Sequence, residues 1–275
     1  MSANTTHASF TGAIPEAYDR YLGPLLFEFS AADTARRVAA ATNGPVKLLE
    51  VACGTGISTR HLAGALPAGS EIMATDLNQA MLDHAGRVNG DLPGVTYRQA
   101  DALDLPFEGA RFDGVVCQFG IMFFPDKAKG LAEMARVLKP GGVLLLTVWD
   151  SFAQNPAVAV VDRVIKSFFE TDPPRFLEAP FAMHDRDAGR ALIEGAGFAA
   201  PEVNLVSAAV ASASHGDTAR GFITGNPTIN EVNERATVGA DEIIASSIAE
   251  LEAEFGPTPV KLPFQEIVYS AHKPL

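Results

Sequence analysis

The chain has 275 residues, 47% hydrophobic and 20% charged, so it can bury a full core and a long disordered tract is not expected. Its net charge of −12 disfavours nucleic acid or a membrane surface as the main partner, because an acidic surface repels phosphate groups. It has no apolar run long enough to span a bilayer, no leader-like N-terminus and two cysteines, which predicts a cytoplasmic protein without a disulfide framework.

The predicted elements alternate between helix and strand up to Trp149. Residues 15–29 are typical of an aromatic helical segment interrupted at Gly23-Pro24, and residues 31–42 of a helix that ends before a Gly-Pro stop signal. The following elements are predicted strands at 47–51, 71–76, 95–99, 112–118 and 143–149, and predicted helices at 58–66, 79–88 and 128–138. Because strands separated by helices form parallel sheets, this half predicts a doubly wound α/β fold.

After Trp149 the regular alternation ends. We expect helices at 157–169 and 187–194, a strand at 202–211, mostly helix over 216–256 and a last strand at 265–271. A Pro-rich break separates the first two of these helices. We interpret 151–184 and 214–256 as insertions around one sheet rather than as an independent domain.

The segment LLEVACGTGIST, residues 48–59, predicts a strand, a glycine loop and a helix that together bind a ligand. Gly54 and Gly56 allow a sharp turn and a close approach of the backbone, and the helix start favours a carboxylate or phosphate. Glu50 at the strand end is unfavourable beside a pyrophosphate but favourable beside an ammonium group. Asp76, at the end of the next strand, is suited to ribose hydroxyls. An amino acid joined to a nucleoside indicates S-adenosylmethionine.

A nicotinamide-dependent dehydrogenase is the alternative for this loop. Residues 54–59 match two of the three glycines of a dinucleotide fingerprint, and Asp76 follows about 20 residues later, as that fingerprint requires. However, Thr59 replaces the third glycine and Glu50 would face the pyrophosphate. The dehydrogenase is therefore the weaker interpretation.

Five segments over residues 47–150 carry a family resemblance: LLEVACGTG, ATDLNQAML, QADALDLPF, FDGVVCQFGIMFF and LAEMARVLKPGGVLLLTVW. In this order they resemble the class I S-adenosylmethionine-dependent methyltransferases, and most nearly the small-molecule branch that includes ubiquinone/menaquinone biosynthesis methyltransferases. The resemblance implies an α/β, Rossmann-like, doubly wound seven-stranded sheet, mostly parallel with the last-paired strand antiparallel. Residues 1–275 would form one domain, with a cofactor-binding core at 31–150 and helical lid insertions at 1–30, 151–184 and 214–256.

The same resemblance implies the cofactor contacts. Glu50 and the backbone of Ala52, Gly54 and Gly56 would hold the methionyl end, with Ala52 standing where the family often has glycine. The other implied contacts are Asp76 on the ribose, Leu77 and Met81 on the adenine side, Asp101 with Ala102 at the adenine amino group, and Gln118 and Phe119 beside the sulfonium.

Several of these residues have a second interpretation. Asp76 could instead cap the helix that starts near residue 79. Tyr18 and Tyr21, three residues apart on one helix face, could line the cofactor mouth or form the core of a lid helix. The two cysteines are better explained as small buried residues than as nucleophiles.

Methyl transfer from a sulfonium is an in-line displacement that requires alignment and exclusion of water more than acid catalysis. His184 is the candidate general base, and His215 a weaker one. No metal site is expected, because the sequence shows no cluster of metal ligands.

We expect the acceptor to be a small aromatic or apolar molecule with an oxygen, nitrogen or carbon nucleophile. Its pocket would be built by residues 10–29, 119–124, 149–184 and 214–235, which are rich in phenylalanine. A protein acceptor, the dehydrogenase and a non-catalytic binder remain as alternatives.

Overall fold

The computed structural model describes residues 10–275, and its centre is a seven-stranded sheet with the order β3-β2-β1-β4-β5-β7-β6. The strands are β1 Lys47–Val51, β2 Glu71–Asp76, β3 Val95–Gln99, β4 Phe112–Gln118, β5 Leu138–Trp149, β6 Glu202–Ser212 and β7 Val260–His272. Strands β1 to β5 pair in parallel, whereas β7 runs antiparallel between β5 and β6. This confirms the predicted sheet, including its antiparallel last-paired strand.

Helices cover both faces of this sheet. They are α1 Ile14–Ala17, α2 Glu28–Ala41, α3 Ile57–Ala65, α4 Gln79–Asn89, α5 Lys127–Val137, α6 Pro156–Ser167, α7 Arg186–Gly195, α8 His215–Thr224, α9 Thr228–Arg235 and α10 Ala240–Phe255. A π-helix, Tyr18–Phe27, joins α1 to α2, and short 3-10 helices lie at Ile121–Phe123, Phe152–Gln154 and Phe176–Phe181.

The expected interruption at Gly23-Pro24 is wrong, because the chain stays helical from α1 through α2. The π-helix takes up the proline: its wider turn relieves the clash that a proline ring has with the preceding α-helical turn. At its end the Glu28 N–H bonds to the Gly23 carbonyl, five residues earlier.

Two strands are longer than their local sequence indicates. Strand β5 begins at Leu138 rather than at 143, and the Gly141 N–H bonds to the Lys273 carbonyl at 2.8 Å. Strand β7 begins at Val260 because it pairs with β6 along its whole length, as far as Ser212. In both strands a partner distant in sequence extends the ladder, and local signals do not reveal that partner.

Alternate residues of the central strands fill two apolar layers. Leu48 of β1 and Leu145 of β5 pack on the side of α2 and α3, whereas Leu49 and Leu144 pack on the side of α5 and the later helices. The central strands are therefore covered on both faces. Because β1 to β5 run parallel, their carboxyl ends lie at one edge of the sheet, where the connections leave a crevice.

Within residues 10–275, no helix is both long and apolar enough to cross a membrane. The cytoplasmic location remains a prediction. Two expectations concern residues 1–9, which lie outside the described residues: that the N-terminus is not a leader, and that the predicted lid segment 1–30 begins there.

Candidate functional site

A cavity of about 600 Å³ opens at the carboxyl ends of β1, β2 and β4, and a small pocket of about 30 Å³ adjoins it. Of the predicted cofactor residues, these line the cavity: Tyr18, Ala52, Gly54, Asp76, Leu77, Met81, Asp101, Ala102, Gln118 and Phe119. Glu50 lines the small pocket, which shares Tyr18, Ala52, Gly54, Gln118 and Phe119 with the cavity. The fold therefore brings residues from five separate segments to one place.

Two of the predicted contacts lie away from the cavity lining. Gly56 has a left-handed φ of 78°, and its N–H donates to the Cys53 carbonyl at 3.0 Å. A Cβ at Gly56 would clash with the Asn89 side chain, so the turn requires a glycine here, and its backbone contact with the methionyl end stays a prediction. Tyr21 packs under the Arg20 guanidinium, 5.2 Å from its ring, and next to Gly221 of α8.

The two histidine candidates also lie outside the cavity lining. His184 is exposed, and its Nδ1 hydrogen-bonds to the Phe181 carbonyl at 2.8 Å. His215 is buried elsewhere, with Nε2 2.8 Å from the Gly256 carbonyl. The predicted role of His184 as a base thus has no geometric support, because a base must reach the atom that loses its proton.

Glu50 is a buried carboxyl at the end of β1. It is 1% exposed and accepts a hydrogen bond of 2.6 Å from the Thr59 hydroxyl of α3. Burial raises the pKa of Glu50 to about 7, because a charged carboxylate loses its hydration there. A cationic group in the adjoining pocket would offset this loss, so the site is suited to an ammonium group.

Asp76 at the end of β2 braces the glycine loop. Its two oxygens accept hydrogen bonds from the backbone N–H groups of Gly54 at 2.9 Å and Asn78 at 2.8 Å. Burial raises the pKa of Asp76 despite these bonds. Because a carboxylate has about four acceptor sites, further sites remain for ribose hydroxyls. Asn78, not Asp76, is the N-terminal cap residue of α4.

The loops after β1 and β4 have strained backbones where they meet. Ala52 and Phe119 have φ angles of 58° and 56°, a left-handed conformation that non-glycine residues rarely adopt and that is concentrated at functional sites. Next to Phe119, a Cβ at Gly120 would clash with the Ala52 side chain and lie 2.9 Å from Cys117 Sγ. Gly120 lies in the segment 119–124 that was expected to help build the acceptor pocket, but its packing against Ala52 was not predicted.

Aromatic rings form the part of the cavity away from the glycine loop. Phe119 stacks on Trp149 with 4.1 Å between ring centroids, and Tyr18 stacks on Phe27 at 4.7 Å. Phe27 bridges these two pairs, 5.7 Å from Phe119. The segments 149–184 and 214–235, expected to help build the acceptor pocket, add these lining residues, none of which was named individually as a site residue: Val158, Phe176, Leu177, Pro180, Phe181, Phe222 and Asn226.

The charged groups of the two pockets are mostly acidic. Within residues 10–275, Glu50, Asp76 and Asp101 line them together with one cation, Lys127, and no histidine does. Lys127 donates to the Phe124 carbonyl at 3.0 Å, and burial lowers its pKa. The described residues contain no group of three or more His, Cys, Asp or Glu arranged to hold a metal ion.

Comparisons with known proteins identify the family of this chain. The profile of the family described as "Methyltransferase domain" matches residues 49–146. A demethylmenaquinone methyltransferase from Staphylococcus carnosus is 31% identical over 193 residues, which cover 64% of this chain and 78% of that relative. The chain belongs to the class I S-adenosylmethionine-dependent methyltransferases.

Two more proteins extend the comparison. A demethylmenaquinone methyltransferase from Deinococcus radiodurans is 38% identical to this methyltransferase over 144 residues, covering 51% of this chain and 58% of the relative. The phosphoethanolamine N-methyltransferase 2 of Haemonchus contortus, solved with S-adenosylhomocysteine, shares the fold with a TM-score of 0.61 and 17% identity. That superposition covers 100% of this chain and 61% of the other.

The methyl donor of this methyltransferase is S-adenosylmethionine, and the described residues fit it. Glu50 is a buried carboxyl beside a pocket sized for a small group, Gly54 gives the backbone room, and Asp76 has free acceptor sites. This arrangement does not favour the dehydrogenase interpretation, because a pyrophosphate at the glycine loop would lie against the buried Glu50 carboxyl.

Proposed function

We propose that this methyltransferase methylates a small, planar, apolar acceptor. The observation that carries the proposal is the cavity of about 600 Å³, which joins the polar ends of β1 and β2 to a wall of aromatic side chains. Such a cavity is large enough for a nucleoside-sized cofactor together with a ring compound. The relatives named demethylmenaquinone methyltransferase support an acceptor of the quinone type.

The polar end of the cavity is suited to the methyl donor. When bound, S-adenosylmethionine supplies a methyl group on a positively charged sulfur. Glu50 and Gly54 would hold the amino-acid end, and Asp76 the ribose. Phe119 lines both the small pocket and the cavity, so its ring would stabilise a cation there and exclude water.

Among residues 10–275 no histidine lines the cavity, and its aromatic end contains the Tyr18 hydroxyl. Tyr18 is partly buried, and loss of hydration together with the nearby Asp76 raises its pKa well above the usual range, so its hydroxyl stays protonated. A hydroxyl in that state donates hydrogen bonds but does not remove protons. We therefore infer an acceptor that ionises readily, such as the hydroxyl of a reduced quinone ring, whose electrons also activate the ring carbons.

A labelling experiment tests this proposal. The protein would be incubated with S-adenosylmethionine carrying a labelled methyl group and with three acceptors: a reduced short-chain demethylmenaquinone, a polar amine and a mixture of unmodified proteins. We expect label in the ring compound, with mass spectrometry to locate it on carbon or oxygen. Label in the amine or the proteins alone would contradict the proposal.

A matched pair of variants locates the acceptor. Phe123 lines the cavity, whereas Phe152 is partly buried and is not part of the lining. Phe123→Leu should raise the acceptor KM about two- to tenfold, the range for losing one aromatic contact, without changing S-adenosylhomocysteine affinity. Phe152→Leu should leave both quantities unchanged.

A further inference from the structure

A line of hydrogen-bonded polar side chains runs from the half-buried Gln118 at the cavity to buried groups in the sheet. The Gln118 amide donates from Nε2 to the Ser30 hydroxyl at 2.5 Å, and Ser30 donates to Glu266 Oε2. Gln118 ends β4, Ser30 lies on α2, and Glu266 lies in the middle of β7 opposite Trp149. Three elements distant in sequence therefore meet in one hydrogen-bonded line.

Glu266 is costly to bury. It is 0% exposed, and within the described structure its second oxygen, Oε1, has no hydrogen-bond partner. Asp33 and Arg37 of α2 supply the nearby charges, and burial raises the pKa of Glu266 to about 8, so its carboxyl is largely neutral at pH 7. An apolar side chain at this position would avoid the desolvation penalty, so the carboxyl needs a function that compensates for it.

Of the three hydrogen-bonded side chains, Gln118 is the one that a ligand can reach. It lines both the main cavity and the small pocket that contains Glu50. A free glutamine amide can rotate and present either its N–H donors or its carbonyl acceptor. With Nε2 held by Ser30, the carbonyl oxygen is the group left to accept a hydrogen bond.

We propose that Ser30 and Glu266 are positioning residues that hold the Gln118 carbonyl oxygen toward the cofactor part of the cavity. There it accepts a hydrogen bond from the ammonium end of the cofactor, beside Glu50. The inference rests on the proposed function only in that this part of the cavity binds S-adenosylmethionine. Fixing the amide before binding removes the entropy loss of ordering it later, which strengthens binding.

A double-mutant cycle tests this coupling. Calorimetry with S-adenosylhomocysteine would compare the natural protein, Ser30→Ala, Gln118→Leu and the double variant. We expect Ser30→Ala to weaken binding about fivefold, the effect of one hydrogen bond, and to cause no further loss when Gln118 is already leucine. Additive losses would overturn the proposal, since Ser30 would then act independently of Gln118.

Glu266 variants and a neighbouring threonine provide the controls. Glu266→Gln keeps an acceptor for Ser30 and should bind like the natural protein, whereas Glu266→Leu should weaken binding about as much as Ser30→Ala. Thr34→Ala, one turn along α2 at an equally buried position, should leave affinity unchanged. Natural affinity in Glu266→Leu, or the same loss in Thr34→Ala, would contradict the assignment.

A measurement on the free protein separates this inference from the proposed function. NMR of the glutamine side-chain amides, with the Gln118 signal assigned by its loss in Gln118→Leu, should show slow solvent exchange in the natural protein and fast exchange in Ser30→Ala. Fast exchange in the natural protein would overturn the positioning role even if S-adenosylhomocysteine binds. Absence of S-adenosylhomocysteine binding to the natural, folded protein would overturn the proposed function, and the inference with it.

Discussion

At the scale of single residues, Asp76 has two roles. It accepts a hydrogen bond from the Gly54 N–H, which holds the glycine loop, and it has acceptor sites left for a ligand. Asp76→Asn keeps the shape of the side chain but replaces one acceptor oxygen by a donor. We expect S-adenosylhomocysteine binding to weaken by about 1–3 kcal/mol, the scale of a lost buried hydrogen-bond partner. Isothermal titration calorimetry measures this directly.

The matched control for Asp76 is Asp91, an exposed aspartate after α4. Asp91→Asn makes the same change in net charge, so it should leave the affinity unchanged. Equal losses in the two variants would mean that long-range charge, not the hydrogen bonds of Asp76, determines binding.

Glu50 makes stability depend on pH in the ligand-free protein. Its pKa in the folded state is about 7, against an ordinary value of 4.5, so the folded state binds more protons between these values. The contribution of Glu50 to the free energy of unfolding is fully present below pH 4.5 and is lost as the pH rises through 7. A glutamine at this position has no proton to lose. Between pH 5 and pH 8 the free energy of unfolding of Glu50→Gln should therefore fall less than that of the natural protein, by at most about 3 kcal/mol.

Urea unfolding of the natural protein and the Glu50→Gln variant across this pH range checks the prediction. Parallel curves for the two proteins would show that Glu50 is ionised in the folded state at pH 5. Glu266 contributes in the same direction in both proteins, so only the difference between them reports on Glu50.

At the scale of elements, the loops after β1 and β4 fit together only because residue 120 is a glycine. Gly120→Ala would place a Cβ against Ala52 and 2.9 Å from Cys117 Sγ, so we expect a loss of about 1–3 kcal/mol in unfolding free energy. Ala52→Gly removes one of these two clashes and should restore part of the loss. Denaturant unfolding of the two single variants and the double variant measures the coupling, and strict additivity would contradict the contact.

The elements that local sequence describes poorly are those shaped by distant partners. The helix through Gly23-Pro24 continues because a π turn relieves the proline clash, whereas the sequence rule for proline predicts a break. Strands β5 and β7 extend beyond their apolar runs because each follows its neighbour's ladder. Elements whose apolar periodicity is strong, such as β1 and β4, lie where the pattern predicts them.

At the scale of the whole molecule, ligand binding should stabilise the fold through linkage. S-adenosylhomocysteine at 100 times its Kd should add about 2.7 kcal/mol, which for a domain of this size raises Tm by about 5–10 °C. Differential scanning fluorimetry with S-adenosylhomocysteine and, separately, NAD⁺ checks this. A shift with NAD⁺ but none with S-adenosylhomocysteine would contradict the assigned methyl donor.

The cavity is a property of the whole molecule rather than of one motif. Its polar end comes from the strand ends that the five sequence segments identify, but its aromatic end combines Phe27, Trp149, Phe181 and Phe222 from segments far apart in the chain. Periodicity cannot distinguish a phenylalanine of the core from one that lines a cavity, because both are buried. Helical spacing likewise cannot show which way a face points, so Tyr21 was plausible in the sequence and lies outside the cavity lining in the structure.

The sequence by itself determined the parallel, doubly wound half of the sheet, the glycine loop and the methyl donor, because strand patterns, glycine spacing and carboxyls at strand ends are local and chemically specific. The seven-stranded sheet with its antiparallel strand followed from the family resemblance. Only the tertiary structure decided which aromatic rings face the cavity, that no histidine of the described residues reaches it, and that Gln118, Ser30 and Glu266 form one line. These facts depend on contacts between elements far apart in the chain. Side-chain direction and burial set such contacts, and a linear pattern does not contain them.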